Sequence, residues 1–121
     1  MASPAGTPPG ELKNRISNAI VQLLHDYTGR GPTRARTYIG DDLVTVVLRD
    51  TMTPGEKSLV AAGHDVFVLD LRQKFQMAMQ NDLVEMIEQL TERKVAVFMS
   101  SNSVEPDAAA ELFVLEPQPD D

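Results

Sequence analysis

Between Asp65 and Arg93 no glycine or proline interrupts the chain, and Val68, Leu71, Phe75, Met79, Leu83, Met86 and Leu90 recur at steps of three and four residues. That spacing places them in one stripe of an α-helix. A helix over 65–93 spans roughly 43 Å at about 1.5 Å per residue. A compact domain of about 100 residues has a radius of gyration near 13 Å and so a diameter of roughly 34 Å. Such a helix has to lie across the layer it packs on and overhang it. Its other flank carries Val66, Met77 and Val84, nearly aligned at helical spacing. An exposed apolar line of that kind marks a partner, and a homodimer built on this helix is one expectation. The other is that a second layer of the same chain, such as its first helix, covers these residues.

The remaining elements follow from period and punctuation. From Glu11 to Tyr27 the positions Leu12, Ile16, Ala19, Ile20, Leu23, Leu24 and Tyr27 form an amphipathic stripe, ended by Gly29 and Gly31-Pro32. Thr33–Ile39 and Asp42–Arg49, rich in Thr, Val and Ile around Gly40-Asp41, predict an antiparallel hairpin. "TPGE" at 53–56 reads as a helix start, with Thr53 as N-cap, Pro54 in the first helical position and Glu56 completing a capping box. This short helix is expected to stop near Gly63. Strands at Lys94–Ser100 and Glu111–Leu115, joined by a loop containing Asn102, Ser103 and Pro106, close the chain. The fold class is therefore α+β: a small antiparallel four-stranded sheet with helices on one face, in the order α-ββ-αα-ββ. Residues 10–117 are read as a single domain, with a disordered proline-rich leader at 1–9 and a disordered tail at 118–121.

Charge and composition narrow the partners. Eighteen acidic residues against 11 basic ones give a net charge of −7, which repels nucleic acid and anionic lipid surfaces. The chain has no cysteine, hence no disulfide framework and no thiolate ligand or nucleophile. No stretch is apolar enough to span a membrane, and the start lacks the pattern of a secretory signal. The expectation is a soluble, cytoplasmic protein with no direct membrane insertion.

Against that acidic background, "TGRGPTRART" at 28–37 gathers three arginines. It is no phosphate loop, since it lacks GK[ST], leads into a strand, and has Arg34 where a dinucleotide fingerprint needs its third glycine. In an extended chain Arg34, Arg36 and Tyr38 share one face. Two readings stand: an edge strand protected by its charges, or an oxyanion site formed by Arg30, Arg34 and Arg36, whose forks suit carboxylate, bicarbonate or phosphate. Arg72 lies within the apolar stripe of the long helix, with Asp82 nearby on the wheel. A charge there needs a partner or a route to water. Either it snorkels or pairs with a carboxylate such as Asp42 or Asp50, or it forms the base of an anion pocket.

His25 and His64 are the only histidines, and neither has a second ligand at metal-binding spacing, so no metal site is assigned. His25 suits a helix C-terminus and His64 a helix junction. Ser100, Ser101 and Ser103 lack a nucleophile elbow, and the exposed pair Asp41-Asp42 lacks the desolvation that separates proton affinities. No catalytic residue and no cofactor are assigned.

Taken together, "GRGPTRARTYIGDDLVTVVLRDTMTPGEKSLV", "VLDLRQKFQMAM" and "RKVAVFMSSNSVEPDAAAELFVLEP" resemble the MpsC-like family of bacterial proteins, a domain of unknown function. The likeness covers about residues 11–117 and leaves out the proline-rich leader. Two positions before Arg72 the family pattern has a glutamate or similar polar residue, and Asp70 keeps the acid character. The resemblance implies association with a Na+-translocating, membrane-potential-generating system linked to inorganic carbon uptake. It further implies a soluble accessory or regulatory protein beside a membrane complex, and it carries over no catalytic residue. The first expectation is thus a non-enzymatic interaction module, dimeric and associated as a subunit with a membrane transport complex. The alternative is a small-anion sensor using Arg72 with Arg34 or Arg36, and an enzyme of unknown type comes third.

Overall fold

A computed structural model describes residues 8–32 and 34–118. The leader and tail of the sequence reading lie for the most part outside the described residues, at 1–7 and 119–121. The elements are α1 (Pro9–Thr28), β1 (Arg34–Ile39), β2 (Leu43–Arg49), α2 (Pro54–Ala61), α3 (Asp65–Thr91), β3 (Val95–Val104) and β4 (Asp107–Leu115). The strands form one antiparallel sheet in the order β1-β2-β4-β3. The fold is α+β, with the expected order of elements.

Local chemistry sets the boundaries. α1 begins at Pro9, earlier than the apolar stripe implies, because proline's fixed φ suits the first helical turn. It stops at Gly29, whose φ of 77° is left-handed and whose N–H bonds His25 O at 2.8 Å. α2 starts with the full capping box: Glu56 N–H donates to Thr53 Oγ1 at 3.2 Å and Thr53 N–H to Glu56 Oε1 at 2.9 Å. α3 is unbroken over 27 residues, about 40 Å at 1.5 Å per residue. It ends at Thr91 instead of Arg93, since Glu92 adopts a left-handed φ of 58°.

The last two strands correct the sequence reading. Asn102 and Ser103 belong to β3, and Ala108–Ala110 to β4, leaving only a tight turn at Glu105-Pro106. Serine, asparagine and alanine have weak strand preference, but the segment Ala108–Val114 pairs with all of β2 on one side and with β3 on the other. Tertiary pairing overrides local propensity here.

The core lies between helices and sheet. Leu12, Ile16 and Ile20 from α1, Val44, Val46 and Leu48 from β2, Met79, Leu83 and Ile87 from α3, and Phe113 and Leu115 from β4 are all fully buried or nearly so. Each large side chain of this set contributes about 1.5–3 kcal/mol by leaving water. On α3 the buried line runs through Gln76, Met79, Leu83 and Ile87, while Leu71, Phe75, Met86 and Leu90 are half-buried. α3 is therefore rotated relative to the stripe read from its sequence, because α1 packs beside it and takes part of the apolar flank. Arg93 fastens the far end: its guanidinium, 5% exposed, donates to Asp42 Oδ1 at 2.6 Å, Asp41 O at 2.7 Å and Glu116 O at 2.8 Å.

The helices cover one face of the sheet. On the opposite face Tyr38, Thr45, Leu112 and Met99 lie in one cross-strand row, and Leu43, Val114 and Val97 in the next. Tyr38, Leu43, Val97 and Met99 are between 38% and 49% exposed. Toward the other end of the strands the same face becomes cationic and small, through Arg34, Arg49, Ala108 and Ser103.

Candidate functional site

The sheet narrows to small side chains at Ala109, and the space it leaves under the first half of α3 is a cavity of about 260 Å³. Leu24 of α1, Leu48 of β2, Ala109 of β4 and Leu71, Phe75 and Met79 of α3 form its apolar walls. Its polar end is made by Arg30, Thr51, Glu56, Arg72, Gln76 and Glu111. Five elements meet there: the end of α1 delivers Arg30, the exit from β2 delivers Thr51, the start of α2 delivers Glu56, α3 delivers Arg72 and Gln76, and β4 delivers Glu111.

Apart from Arg30, which bonds Asp50, these groups are linked in one polar network. Gln76 Nε2 donates to Glu111 Oε1 at 3.1 Å and to Asn102 Oδ1 at 3.0 Å, and Asn102 Nδ2 donates back to Gln76 Oε1 at 2.7 Å. Arg72 Nε donates to the same Asn102 Oδ1 at 3.2 Å, and Arg72 Nη2 makes a short bond to Thr51 Oγ1. The Thr51 hydroxyl in turn donates a hydrogen bond to Asp107 Oδ1 at 2.7 Å, while Met52 N–H donates to Asp107 Oδ2 at 2.9 Å. Arg72 Nη1 lies 3.6 Å from Glu56 Oε2, with both side chains nearly buried. The charge on the core side of α3 is thus paired, but with Glu56, not with Asp42 or Asp50. Asp42 binds Arg93, and Asp50 binds Arg30 and Lys57.

The two carboxyls of the chain titrate in opposite directions. Burial pushes the Glu111 carboxyl up to about 7, although the neighbouring Ser100 hydroxyl, the Gln76 amide and the Arg72 charge oppose the rise. For Asp107 burial also favours the neutral form, but the Met52 N–H, the Thr51 hydroxyl and amide, and Arg72 outweigh it and hold the group below its usual range. Among the described residues, Glu111 Oε2 and Arg30 Nε are buried polar atoms with no hydrogen-bond partner. Both belong to residues lining this cavity.

Of the four arginines singled out by sequence, Arg30 and Arg72 line the same cavity. Arg34 and Arg36 do not: they line a separate groove with Ser17, Asn18, Tyr38 and Arg49, and Arg36 stacks 5.4 Å from the centre of the Tyr38 ring. Alternation along β1 puts them on the sheet face away from the helices. Val66 and Met77 are 75% and 67% exposed, joined by Phe67 at 58%, whereas Val84 is half-buried beside Val95 and Phe98. Asp82 accepts a hydrogen bond from Tyr27 Oη at 2.6 Å at the surface, which lifts the Tyr27 hydroxyl above its ordinary range. Among the described residues no group of three or more His, Asp or Glu side chains converges to hold a metal ion.

Sequence reasoning missed Glu111, Gln76, Thr51, Asn102 and Glu56 as site residues. Two of them carry a legible signal: Glu111 stands two residues before Phe113 and four before Leu115, so strand alternation turns it inward, and Gln76 falls on the helical line through Met79 and Leu83.

Comparison with known proteins places this geometry in context. Residues 9–117 match the model of the family described as Na+-translocating membrane potential-generating system (MpsC). Over 64 residues the chain is 34% identical to the uncharacterized protein YbcI of Bacillus subtilis strain 168. That match covers 53% of this chain and 50% of the relative, so the chain spans about half the length of the curated protein it matches. No solved structure matches.

Proposed function

The chain belongs to the MpsC family, and on that premise we propose that it is a non-enzymatic accessory or regulatory module of a Na+-translocating, membrane-potential-generating system, working by contact with other proteins. The observation that carries this reading is the bare sheet face, where Tyr38, Leu43, Val97 and Met99 stand exposed in register with Leu112 and Val114. A contiguous apolar surface of this kind is typical of interaction sites. No described helix is long and apolar enough to cross a membrane, and the reading gives the described domain a docking role. Self-association through α3 is the second element of the proposal, supported by the exposure of Val66 and Met77, aligned on one flank, with Phe67 exposed beside them.

Sedimentation velocity at tens of micromolar, combined with flotation on vesicles carrying the Na+-translocating complex, tests both elements. The proposal expects a species of twice the 13.3 kDa chain mass, reduced to monomer by Met77→Glu but not by Met99→Glu. Met99→Glu is expected to abolish flotation. A monomer at all concentrations removes the dimer, and flotation indifferent to Met99→Glu removes the sheet face as the docking surface.

A second reading, a small-anion sensor, is supported by Arg30 and Arg72 lining one cavity. Calorimetry with phosphate, bicarbonate and simple carboxylates tests it; no heat with any of them excludes it.

A further inference from the structure

We infer that the cavity under the first half of α3 binds a compact monocarboxylic acid with an apolar body, its carboxylate received by Arg30 and Arg72 and its body by Leu24, Leu71, Phe75 and Met79. The inference rests on the small-anion reading and narrows it. A site of about 260 Å³ is at the small end for ligand pockets, which run from about 300 Å³ upward, and it therefore suits a small molecule. Its walls are mainly hydrocarbon, which phosphate and bicarbonate cannot cover and would leave dry against a charged ion.

Charge selects among the candidates that do fit the walls. Arg30 has a buried Nε without a partner, and its terminal nitrogen is held by Asp50 O at 3.4 Å and Asp50 Oδ2 at 3.3 Å. The Arg30 and Arg72 guanidinium groups both line the cavity, and an oxyanion is the acceptor that arginine binds most strongly. An apolar cation would meet both guanidinium groups. A neutral apolar molecule would offer the guanidinium groups no charged acceptor. A carboxylate offers acceptors to the guanidinium groups that line the cavity.

This arrangement couples binding to a proton. The groups facing Glu111 are Arg72 and Gln76 from α3 and Ser100 from β3, with Glu56 on α2 and Arg30 after α1 completing the charges of the lining. Asp50 on Arg30, and Glu56 and Asp107 near Arg72, already offset the two arginines, so a monoanion is favoured only while Glu111 adds no further negative charge. An ionised Glu111 repels the bound anion. The bound anion therefore raises the proton affinity of Glu111, and affinity weakens with rising pH by at most about tenfold per unit once Glu111 titrates.

Nuclear magnetic resonance on the full chain provides the test, with the side-chain amides of Gln76 and Asn102 as reporters and sodium benzoate and sodium hexanoate as probes. Benzamide, inorganic phosphate and bicarbonate are the comparison ligands. The expected result is a saturable shift with at least one carboxylate below about 10 mM, at least about tenfold weaker with benzamide, weaker at pH 8 than at pH 6, and lost in Arg72→Met. Because Arg72→Met removes a network member and can unfold the chain, Arg30→Gln serves as the second variant: among the described residues the side chain bonds Asp50, and the substitution is expected to weaken binding about tenfold. Benzamide matching benzoate, or binding unchanged in Arg30→Gln, overturns the inference. Saturation by phosphate or bicarbonate alone overturns it while leaving the small-anion reading standing, and no response to any anion overturns both.

Discussion

The two halves of α3 lie on the same sheet and meet opposite chemistries. Toward its C-terminal end Leu83 and Ile87 press on Val44, Phe113, Leu115 and the Ile16–Ile20 side of α1, with no polar atom among them needing a partner. Toward its N-terminal end Arg72 and Gln76 meet Thr51, Asn102, Glu111 and Glu56 through directed bonds. The apolar half closes on itself, because hydrocarbon groups interdigitate without regard to direction. The polar half cannot, because each group must keep its bond geometry, and the cavity is what remains between them. One half holds the helix in place; the other holds open a space.

The largest effect that could break this contrast comes from Leu83→Ala. It is expected to cost about 3–5 kcal/mol in urea unfolding, the range for emptying a packed leucine site. A loss under about 1 kcal/mol would mean that the apolar half is not the anchor.

Glu111→Gln probes the polar half through pH. The folded-state proton affinity of Glu111, near 7, lies above the unfolded value of 4.5. The native chain therefore binds more protons than the unfolded one between those values. The stabilisation from the neutral carboxyl is complete below about pH 4.5 and is lost as pH rises through 7. The variant, neutral at every pH, is expected to be more stable than the parent at pH 8 by on the order of 2–3 kcal/mol, with the difference vanishing near pH 4. Parallel stability curves across this range would show that Glu111 is solvated in the native state.

A smaller effect is expected from Thr53→Ala, which removes one bond of the capping box and should lower thermal stability by about 1 kcal/mol. Because Glu56 is then less firmly held, a further change in the Arg72 side-chain resonances is expected. Their constancy would separate the cap from the network. Smallest of all, Met99→Glu on the bare sheet face is expected to change unfolding stability by no more than about 0.5 kcal/mol. A larger loss would mean that this face is sealed by something the isolated chain needs.

How much of this could be read beforehand follows the same division. The long helix, the first helix, the hairpin and the capping box were legible because period and punctuation are local. The extension of β3 and β4 through Asn102, Ser103 and Ala108–Ala110 was not, because strand pairing there wins over residues that read as a loop. Arg72 was legible as a charge on the wrong side of a helix. Its partner Glu56 was not, since no sequence pattern states that the start of α2 folds back onto α3. Arg34 and Arg36 were grouped with Arg30 by nearness in sequence, yet the strand's own alternation turns them to the other face.

The double duty of Glu56 has a mechanical outcome. α2 buries no residue, and its first turn is pinned where Glu56 both closes the cap and meets Arg72. The segment Pro54–Ala61 is thereby a clasp on the outside of the domain, fastened where the cap and the ion pair share one carboxylate.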